Sequence, residues 1–251
     1  MLQLDFWFFA LAVPAVIFAG ISKGGFGSSA SFAAASILAL VIEPGLALGV
    51  MLPLYMVIDV AALRPYWRKW DWHVSGLMIA GSLPGVALGA WLFSHTEPDA
   101  VRVLIGAISL LFVMWQVARA LGWIRLGERV LPQWLGVATG CVAGFTGFVS
   151  HAGGPPAAVY LLSLKISKTQ YQANTVLILT VINVFKFVPY AYLGMFTLQT
   201  FKANLVLAPF AVLGTLIGVK AHQLVSERMF FLLTYALLVV TGTKLIWDGF
   251  G

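Results

Sequence analysis

The chain has 251 residues, of which 61% are hydrophobic and 10% charged, and its formal net charge is +6. A soluble globular domain carries roughly 25% charged residues, so this composition excludes a water-soluble protein and predicts an integral membrane protein of the helical type. Excess basic residues are typical of cytoplasmic loops in membrane proteins, so we expect a lipid bilayer around the chain and no nucleic-acid partner.

Polar residues and Pro/Gly breaks divide the chain into about ten apolar segments, most of which approach the roughly 20 residues that cross a bilayer. No basic residue precedes the first segment, which argues against a cleaved signal peptide. Two segments are short, 26–42 and especially 155–165, and we predict an all-α polytopic membrane protein. The segments are 6–20, 26–42, 46–63, 74–94, 100–118, 132–149, 155–165, 171–193, 203–221 and 229–247.

The basic residues orient these segments. Eleven lie in odd-numbered connections, and three lie in even-numbered connections or at the C-terminal end. Because basic residues are retained in the cytoplasm, the odd connections are predicted to be cytoplasmic and both termini periplasmic or external. The eleven are Lys23, Arg64, Arg68, Lys69, Arg119, Arg125, Arg129, Lys165, Lys168, Lys220 and Arg228, and the three are Arg102, Lys202 and Lys244.

The two halves of the chain resemble each other at a spacing of 124 residues. Residues 57–66 read "VIDVAALRPY" and residues 181–190 read "VINVFKFVPY", with five of ten positions identical and Asp59 opposite Asn183. Each half then holds five segments, an odd number, so the second half must enter the membrane from the opposite side. We predict two inverted-topology repeats, 1–122 and 123–251, within one membrane domain.

Two glycine-rich stretches interrupt the apolar pattern at equivalent places, "GISKGGFGSSASF" at 20–32 and "FTGFVSHAGGPPAA" at 145–158. If the flanking segments were full spans, these stretches would be loops on opposite faces. If each pair is a broken or re-entrant helical hairpin, both stretches lie at mid-depth and face each other. The short segments that follow, the permissive glycines and the proline pair Pro155 and Pro156 favour the broken hairpins.

Unwound backbone and helix N-termini within a membrane present free N–H groups and a positive dipole end, which favour the binding of an anion. The alternative is that the small residues only pack helices closely, while Lys23 extends to the cytoplasmic interface. Only the first stretch carries a lysine, so the two sides of such a site are not chemically equivalent. The predicted substrate-binding residues are Ser22, Lys23, Gly24, Gly25, Ser28, Thr146, Ser150, His151, Gly153 and Gly154.

Two further ionisable residues, Asp59 and Lys186, fall within apolar segments, where such residues are functional candidates. Asp59 is expected to pair with Lys186 or Lys23, or to carry a proton. Its equivalent in the second half, Asn183, cannot titrate, which suits either proton coupling through one half or a structural ion pair.

The remaining motifs argue against other functional classes. The four histidines and the single cysteine are scattered without metal-ligand spacing, and no phosphate-binding loop occurs, so no metal, no cofactor and no ATP-driven pump is predicted. The only local nucleophile and base, Ser150 and His151, are adjacent and rarely present their side chains to each other. An enzyme is therefore not expected.

The motifs "AGISKGGFG" and "GFTGFVSHAGGPP", together with the duplicated organisation of the whole chain, resemble the sulfite exporter TauE/SafE family. These are small permeases of the bacterial inner membrane, and the resemblance implies transport of sulfite, sulfonates or related sulfur-containing anions. We predict a secondary transporter that works by alternating access and is linked to protons. A permease for small organic carboxylates and a passive anion channel of the same fold are the alternatives, and assembly into a homo-oligomer is left open.

Overall fold

Helices account for nearly all of the chain that the structure describes. The computed structural model describes residues 4–26, 30–124, 130–221 and 227–251, and within these ranges it holds ten α-helices and no strand. The all-α prediction is confirmed. The helices are α1 Phe6–Ile21, α2 Ala33–Leu38, α3 Pro44–Leu63, α4 Trp72–Ser94, α5 Pro98–Ala120, α6 Gln133–Ser150, α7 Gly154–Ser163, α8 Lys168–Tyr192, α9 Leu198–Ala221 and α10 Glu227–Phe250.

Ordinary capping residues begin several of these helices. The Asp5 carboxylate accepts from the amide of Phe8 at the start of α1, and Asp71 accepts from the first amides of α4. Ser167 accepts from Gln170 at the start of α8. Such side chains satisfy N–H groups that have no partner within the helix, so the local sequence fixes where these spans begin.

Among the described residues, seven helical stretches are long and apolar enough to cross a membrane. The α6 helix has 18 residues, whereas α2 has six and α7 has ten. At 1.5 Å per residue, α2 and α7 extend about 9 and 15 Å, well short of the roughly 30 Å hydrocarbon core. The chain is therefore a multi-pass membrane protein in which the second and seventh segments are short, as the sequence predicted. The seven are Phe6–Gly25, Pro44–Tyr66, Trp72–Ser94, Pro98–Ala120, Lys168–Tyr192, Leu198–Gly218 and Arg228–Phe250.

Glycines bring the helices together in pairs. The α1 helix packs along α9 and α4 packs along α6, both parallel, with Gly20 against Ala211 in the first pair and Gly85 against Cys141 in the second. At the 124-residue spacing, α1 corresponds to α6 and α4 to α9, so the two pairings are equivalent. Helix α3 contacts its equivalent α8, and α5 contacts α10. Both of these pairs run antiparallel.

Both glycine-rich stretches interrupt their helices. Helix α1 passes into a π-helical turn, Ser22–Phe26, and α6 ends at His151, whose φ of 59° is left-handed. Helix α7 then begins with Pro155 and Pro156 in its first turn. Ser28, predicted to bind substrate, lies outside the described residues, as do Arg125 and Arg129.

Candidate functional site

A buried ion pair joins the first interruption to α3. The Lys23 Nζ lies 2.6 Å from Oδ1 of Asp59, and the side chains are 5% and 3% exposed. The second carboxylate oxygen accepts from the Asn183 amide of α8, also at 2.6 Å. Lys23 therefore does not extend to an interface but turns inward to Asp59, which takes Lys23 and not Lys186 as its ion-pair partner. Removing one member of such a buried pair typically costs about 3–5 kcal/mol.

A second cation lies at the other interruption. The Lys186 Nζ, on a residue that is 1% exposed, donates to the carbonyl oxygen of Gly147 at 2.9 Å and lies 2.8 Å from Nδ1 of His151. The other ring nitrogen of His151 is 3.2 Å from the carbonyl oxygen of Leu48. A carbonyl only accepts and a lysine ammonium only donates, so beside a charged Lys186 the ring is neutral with its proton on Nε2.

Tyr55 of α3 connects two polar clusters. The first cluster is Lys23, Asp59 and Asn183, and the second is Lys186, Gly147 and His151. The Lys23 Nζ lies 4.7 Å from the centroid of its ring, and the His151 ring packs edge-on against it at 4.8 Å. Its hydroxyl donates to the carbonyl oxygen of Ser31 at 2.7 Å, just after the first interruption. The predicted interruptions thus meet through an aromatic ring, not through direct contact between Lys23 and His151.

Sequence reasoning missed Tyr55 and also Tyr190, whose hydroxyl donates to the carbonyl oxygen of Phe148 at 2.6 Å. One signal was present for each. Tyr55 stands four residues before Asp59 and so shares its helix face, and Tyr190 ends the repeated "VINVFKFVPY" motif. Both rings are fully buried and hold the backbone beside an interruption.

His151 is placed by an unusual backbone conformation. A left-handed residue at the end of a helix is ordinarily glycine, and a side chain there costs of order 1 kcal/mol or more. The turn lets the chain reverse, so that Gly153 packs back against the carbonyl oxygen of Ala143. The same turn directs the imidazole between α3 and α8, where Leu48 and Lys186 bind it.

The other predicted residues mainly build the backbone of the interruptions. Ser22 and Ser150 are fully buried, and the Ser150 hydroxyl donates to the carbonyl oxygen of Thr146. The Thr146 hydroxyl itself bonds backbone carbonyls, including that of Ala152 at 2.9 Å. Gly154 opens α7.

Gly24 and Gly25 approach α9 too closely for a side chain. A Cβ at Gly24 would lie 2.5 Å from the carbonyl oxygen of Thr215, and one at Gly25 would overlap that of Gly218. Close helix packing, the alternative considered from the sequence, therefore accounts for the absence of side chains at these two positions.

A cavity of about 840 Å³ reaches the first cluster. Lys23, Gly24 and Gly25 lie in its wall, whereas the described residues of the second cluster do not. Its charged lining residues are Lys23, Arg119 and Lys168, and no acidic side chain occurs in the described lining. The other lining residues are Ala61, Ala62, Pro65, Tyr66, Phe112, Trp115, Gln116, Pro155, Ala158, Val159, Leu161, Leu162, Ile166, Thr169, Tyr171, Gln172, Thr215, Phe231 and Tyr235.

This arrangement suits a small anion and not a metal ion. In the described part of the chain, no three His, Cys, Asp or Glu side chains are grouped as a metal site. A cavity whose charged lining residues are all basic attracts anions, and their side chains can offer charge-assisted hydrogen bonds to anion oxygens.

Comparison with known proteins agrees with this chemistry. The family model for the sulfite exporter TauE/SafE matches residues 12–245. The comparisons with curated proteins and with solved structures gave no match. The matched family is one of membrane transporters, not enzymes, and membership implies transport of sulfite or related anions across a membrane. On the strength of this match over nearly its whole length, the chain belongs to the sulfite exporter TauE/SafE family.

Proposed function

We propose that the chain is a secondary transporter that carries a small sulfur-containing anion, sulfite or a sulfonate, by alternating access and with a linked proton. The observation that carries the proposal is the position of Lys23. It lines a cavity with basic walls, yet its ammonium is held by the Asp59 carboxylate on the protein side. The ammonium therefore stands between an internal carboxylate and the space that an external anion would occupy.

Proton linkage follows from competition for that ammonium. An anion that draws Lys23 away from Asp59 would leave a buried carboxylate with only the Asn183 amide, which is costly. Protonation of Asp59 removes that cost and frees Lys23 for the anion. The Lys23 ammonium and the Asn183 amide bond Asp59 directly, and the side chains of Tyr55 and Lys186 are its other titratable neighbours. Proton and anion then bind together and are released together.

Alternating access is supported by the helix pairings. The α1–α9 and α4–α6 pairs are equivalent at the 124-residue spacing, and α3 and α8 run antiparallel. We take 1–122 and 123–251 as the inverted repeats and the interruptions as broken hairpins. The cavity wall includes Pro65 and Lys168, in connections that the basic-residue pattern assigns to the cytoplasm. We propose the bacterial inner membrane as the location of the protein, with both termini external.

The test is anion flux in proteoliposomes with purified protein. Saturable sulfite or sulfonate flux that is accelerated by a proton gradient is expected, together with exchange across the membrane in counterflow. Saturable carboxylate flux without sulfite flux would instead identify a permease for small organic carboxylates. Flux without saturation or counterflow would identify a channel. If no anion of the panel moves, the proposed function is wrong.

The site is tested with matched lysine variants. Lys23→Gln is expected to raise KM about tenfold or more, because a charge-assisted hydrogen bond to the anion is lost. Lys244→Gln removes an exposed ion pair with Asp248 and is expected to leave KM unchanged. The double variant Lys23→Gln with Asp59→Asn leaves no unpaired buried charge, so it separates lost binding from misfolding. If Lys23→Ala and His151→Ala keep wild-type flux and affinity, the site assignment fails.

A further inference from the structure

Lys186 is a fully buried lysine without a carboxylate partner among the described residues. Within the described residues no ion pair is formed by its ammonium, which contacts a backbone carbonyl and the neutral His151 ring. A buried ammonium loses far more hydration than two neutral acceptors return. Ionisable groups with such surroundings inside a membrane protein ordinarily serve an ion or substrate pathway. The proposed function of Lys23 does not explain why a second lysine, Lys186, is buried.

The position of Lys186 mirrors that of Lys23. At the 124-residue spacing Lys186 corresponds to Ala62, and Gly147, whose carbonyl Lys186 contacts, corresponds to Lys23. Lys23 and Ala62 both line the cavity. Each half therefore places one lysine opposite one small residue. In the first half the lysine lies in the interruption and the small residue, Ala62, in α3. In the second half the small residue, Gly147, lies at the interruption and the lysine in α8. The second half, which lacks a lysine in its glycine-rich stretch, obtains one from α8.

Three residues of the cavity wall have fully buried equivalents. Ala158, Tyr66 and Gln172 line the cavity, and their equivalents Ala34, Tyr190 and Leu48, here called the sealed layer, are all 0% exposed. Two hydrogen bonds lie at this layer. The Tyr190 hydroxyl donates to the carbonyl oxygen of Phe148, and the His151 ring contacts the carbonyl oxygen of Leu48 at 3.2 Å. This part of the wall is therefore open in one half and buried in the other, a difference that alternating access would exchange.

We propose that Lys186, with His151 beside it, is the second anion-binding cation, which meets the substrate when the sealed layer opens to the other face. This inference rests on the proposed function. In that state the oxygens of a small oxyanion replace the Gly147 carbonyl and Nδ1 of His151 as acceptors for the Lys186 ammonium. The anion passes from one lysine to the other as the halves exchange conformations, and each lysine serves one face of the membrane.

The test is the apparent KM at each face, measured in right-side-out and inside-out vesicles. Lys23→Gln is expected to raise KM about tenfold or more at the face to which the cavity opens, with less than about a twofold change at the other. Lys186→Gln is expected to show the reverse, and Lys186→Arg to retain most of the affinity. Equal effects at both faces, or none, with Lys186→Gln would overturn the proposal, since a merely structural lysine has no preferred face.

A charge-swap variant keeps the test valid if Lys186→Gln does not fold. Lys186→Ala with Gly147→Lys gives the second half the arrangement of the first, and a Cβ at Gly147 meets nothing closer than Cγ2 of Ile182 at 3.4 Å. The swap is expected to restore KM to within about fivefold of the wild-type value at the membrane face opposite the cavity, and at that face only. A swapped protein that elutes as a folded monodisperse species but binds equally poorly at both faces contradicts the proposal.

Cysteine labelling tests the opening without altering either lysine. In a Cys141→Ser background, Ala158→Cys is expected to react with a membrane-impermeant thiol reagent from the cavity face only. Ala34→Cys is expected to react from the opposite face only, and faster when substrate is added. If Ala34→Cys is never labelled while sulfite flux persists, the sealed layer does not open and Lys186 is no substrate ligand. Absence of flux in the wild type would instead reject the proposed function.

Discussion

The Asn183 amide donates a hydrogen bond to Oδ2 of Asp59 at 2.6 Å, and these two residues occupy equivalent positions 124 residues apart. Side chains related by a two-fold axis meet only where that axis passes, so the contact marks the centre of the proposed repeat. Asn has nearly the shape of Asp but no charge. The centre is therefore symmetric in shape and asymmetric in charge, because two carboxylates at this distance would share one proton.

This asymmetry predicts the behaviour of Asp59→Asn. The variant removes the carboxylate that holds Lys23 and that would take up the proton, while the amide oxygen can still accept from one of the two donors. Anion binding is expected to persist, and acceleration of flux by a proton gradient is expected to vanish. Flux with and without an imposed gradient, together with calorimetric sulfite binding, measures both effects.

Asp71→Asn is the matched control for that experiment. Asp71 caps α4 by accepting from His73 and Val74, a function that Asn performs equally well. A proton gradient is expected to accelerate flux through Asp71→Asn as much as through the wild type. A gradient response in Asp59→Asn as large as in this control would assign the proton to another group.

The tyrosine hydroxyls are predicted to stabilise the interruptions. Tyr55→Phe and Tyr190→Phe each leave a carbonyl oxygen beside an interruption, that of Ser31 or Phe148, without its hydroxyl donor. The Ser31 carbonyl keeps its bond from the Ala34 amide, so the expected cost in each variant is that of one buried hydrogen bond, about 1 kcal/mol, which lowers Tm by roughly 2 °C in a chain of this size. Tyr192→Phe, at an 88% exposed residue, is expected to leave Tm unchanged. Equal Tm values for all three variants would show that the two bonds contribute nothing.

The ionic residues of the site could be predicted because charge is conspicuous in an apolar sequence. Lys23, Asp59, His151 and Lys186 were all identified before any contact was known, and Asn183 followed from the repeat. Their pairing could not be predicted, since both lysines were within plausible reach of Asp59. That choice depends on how α1 and α8 pack against α3, which involves residues far apart along the chain.

The glycines and tyrosines show the limit of sequence reasoning in a membrane protein. A glycine is equally consistent with unwound backbone and with close helix packing, and only the approach of Thr215 to Gly24 identifies the second. An aromatic residue in an apolar helix is expected to face lipid or core, so its position on the Asp59 face did not identify Tyr55 as the link between Lys23 and His151. Short segments, in contrast, were predictable from length alone, as α2 and α7 demonstrate.

The α4–α6 interface is predicted to tolerate no side chain at Gly85. A Cβ there would overlap the carbonyl oxygen of Cys141, and backbone cannot move aside as a flexible side chain would. Gly85→Ala is expected to destabilise the protein by at least about 1–3 kcal/mol and to lower the yield of folded protein. Thermal unfolding in detergent measures the effect.

Gly76→Ala in the same helix is the control, because no atom outside its own helix lies within 4 Å of the added Cβ. It is expected to match or slightly exceed wild-type stability, since alanine favours helix more than glycine does. If both variants unfold at the same temperature, close contact between α4 and α6 is not what stabilises the helix pair.

Arg119 is predicted to attract the anion from a distance. It lines the cavity, and its Nη1 lies 3.3 Å from Oε1 of Gln116, so its charge is not neutralised by a carboxylate there. Arg119→Gln is expected to raise KM several-fold in 10 mM salt and to have little effect in 1 M salt. The Debye length falls from about 30 Å to about 3 Å between these conditions, which removes steering but not direct binding.

Arg102→Gln provides the comparison. Arg102 pairs with Asp99 and belongs to the even-numbered connections, which are predicted to face away from the cytoplasm. Its KM at the cavity face is expected to equal that of the wild type at every salt concentration. A KM increase in Arg119→Gln that persists in 1 M salt would mean that the guanidinium touches the bound anion directly. The substrate position would then lie closer to the cavity mouth than Lys23, and the proposed competition between the anion and Asp59 would lose its basis.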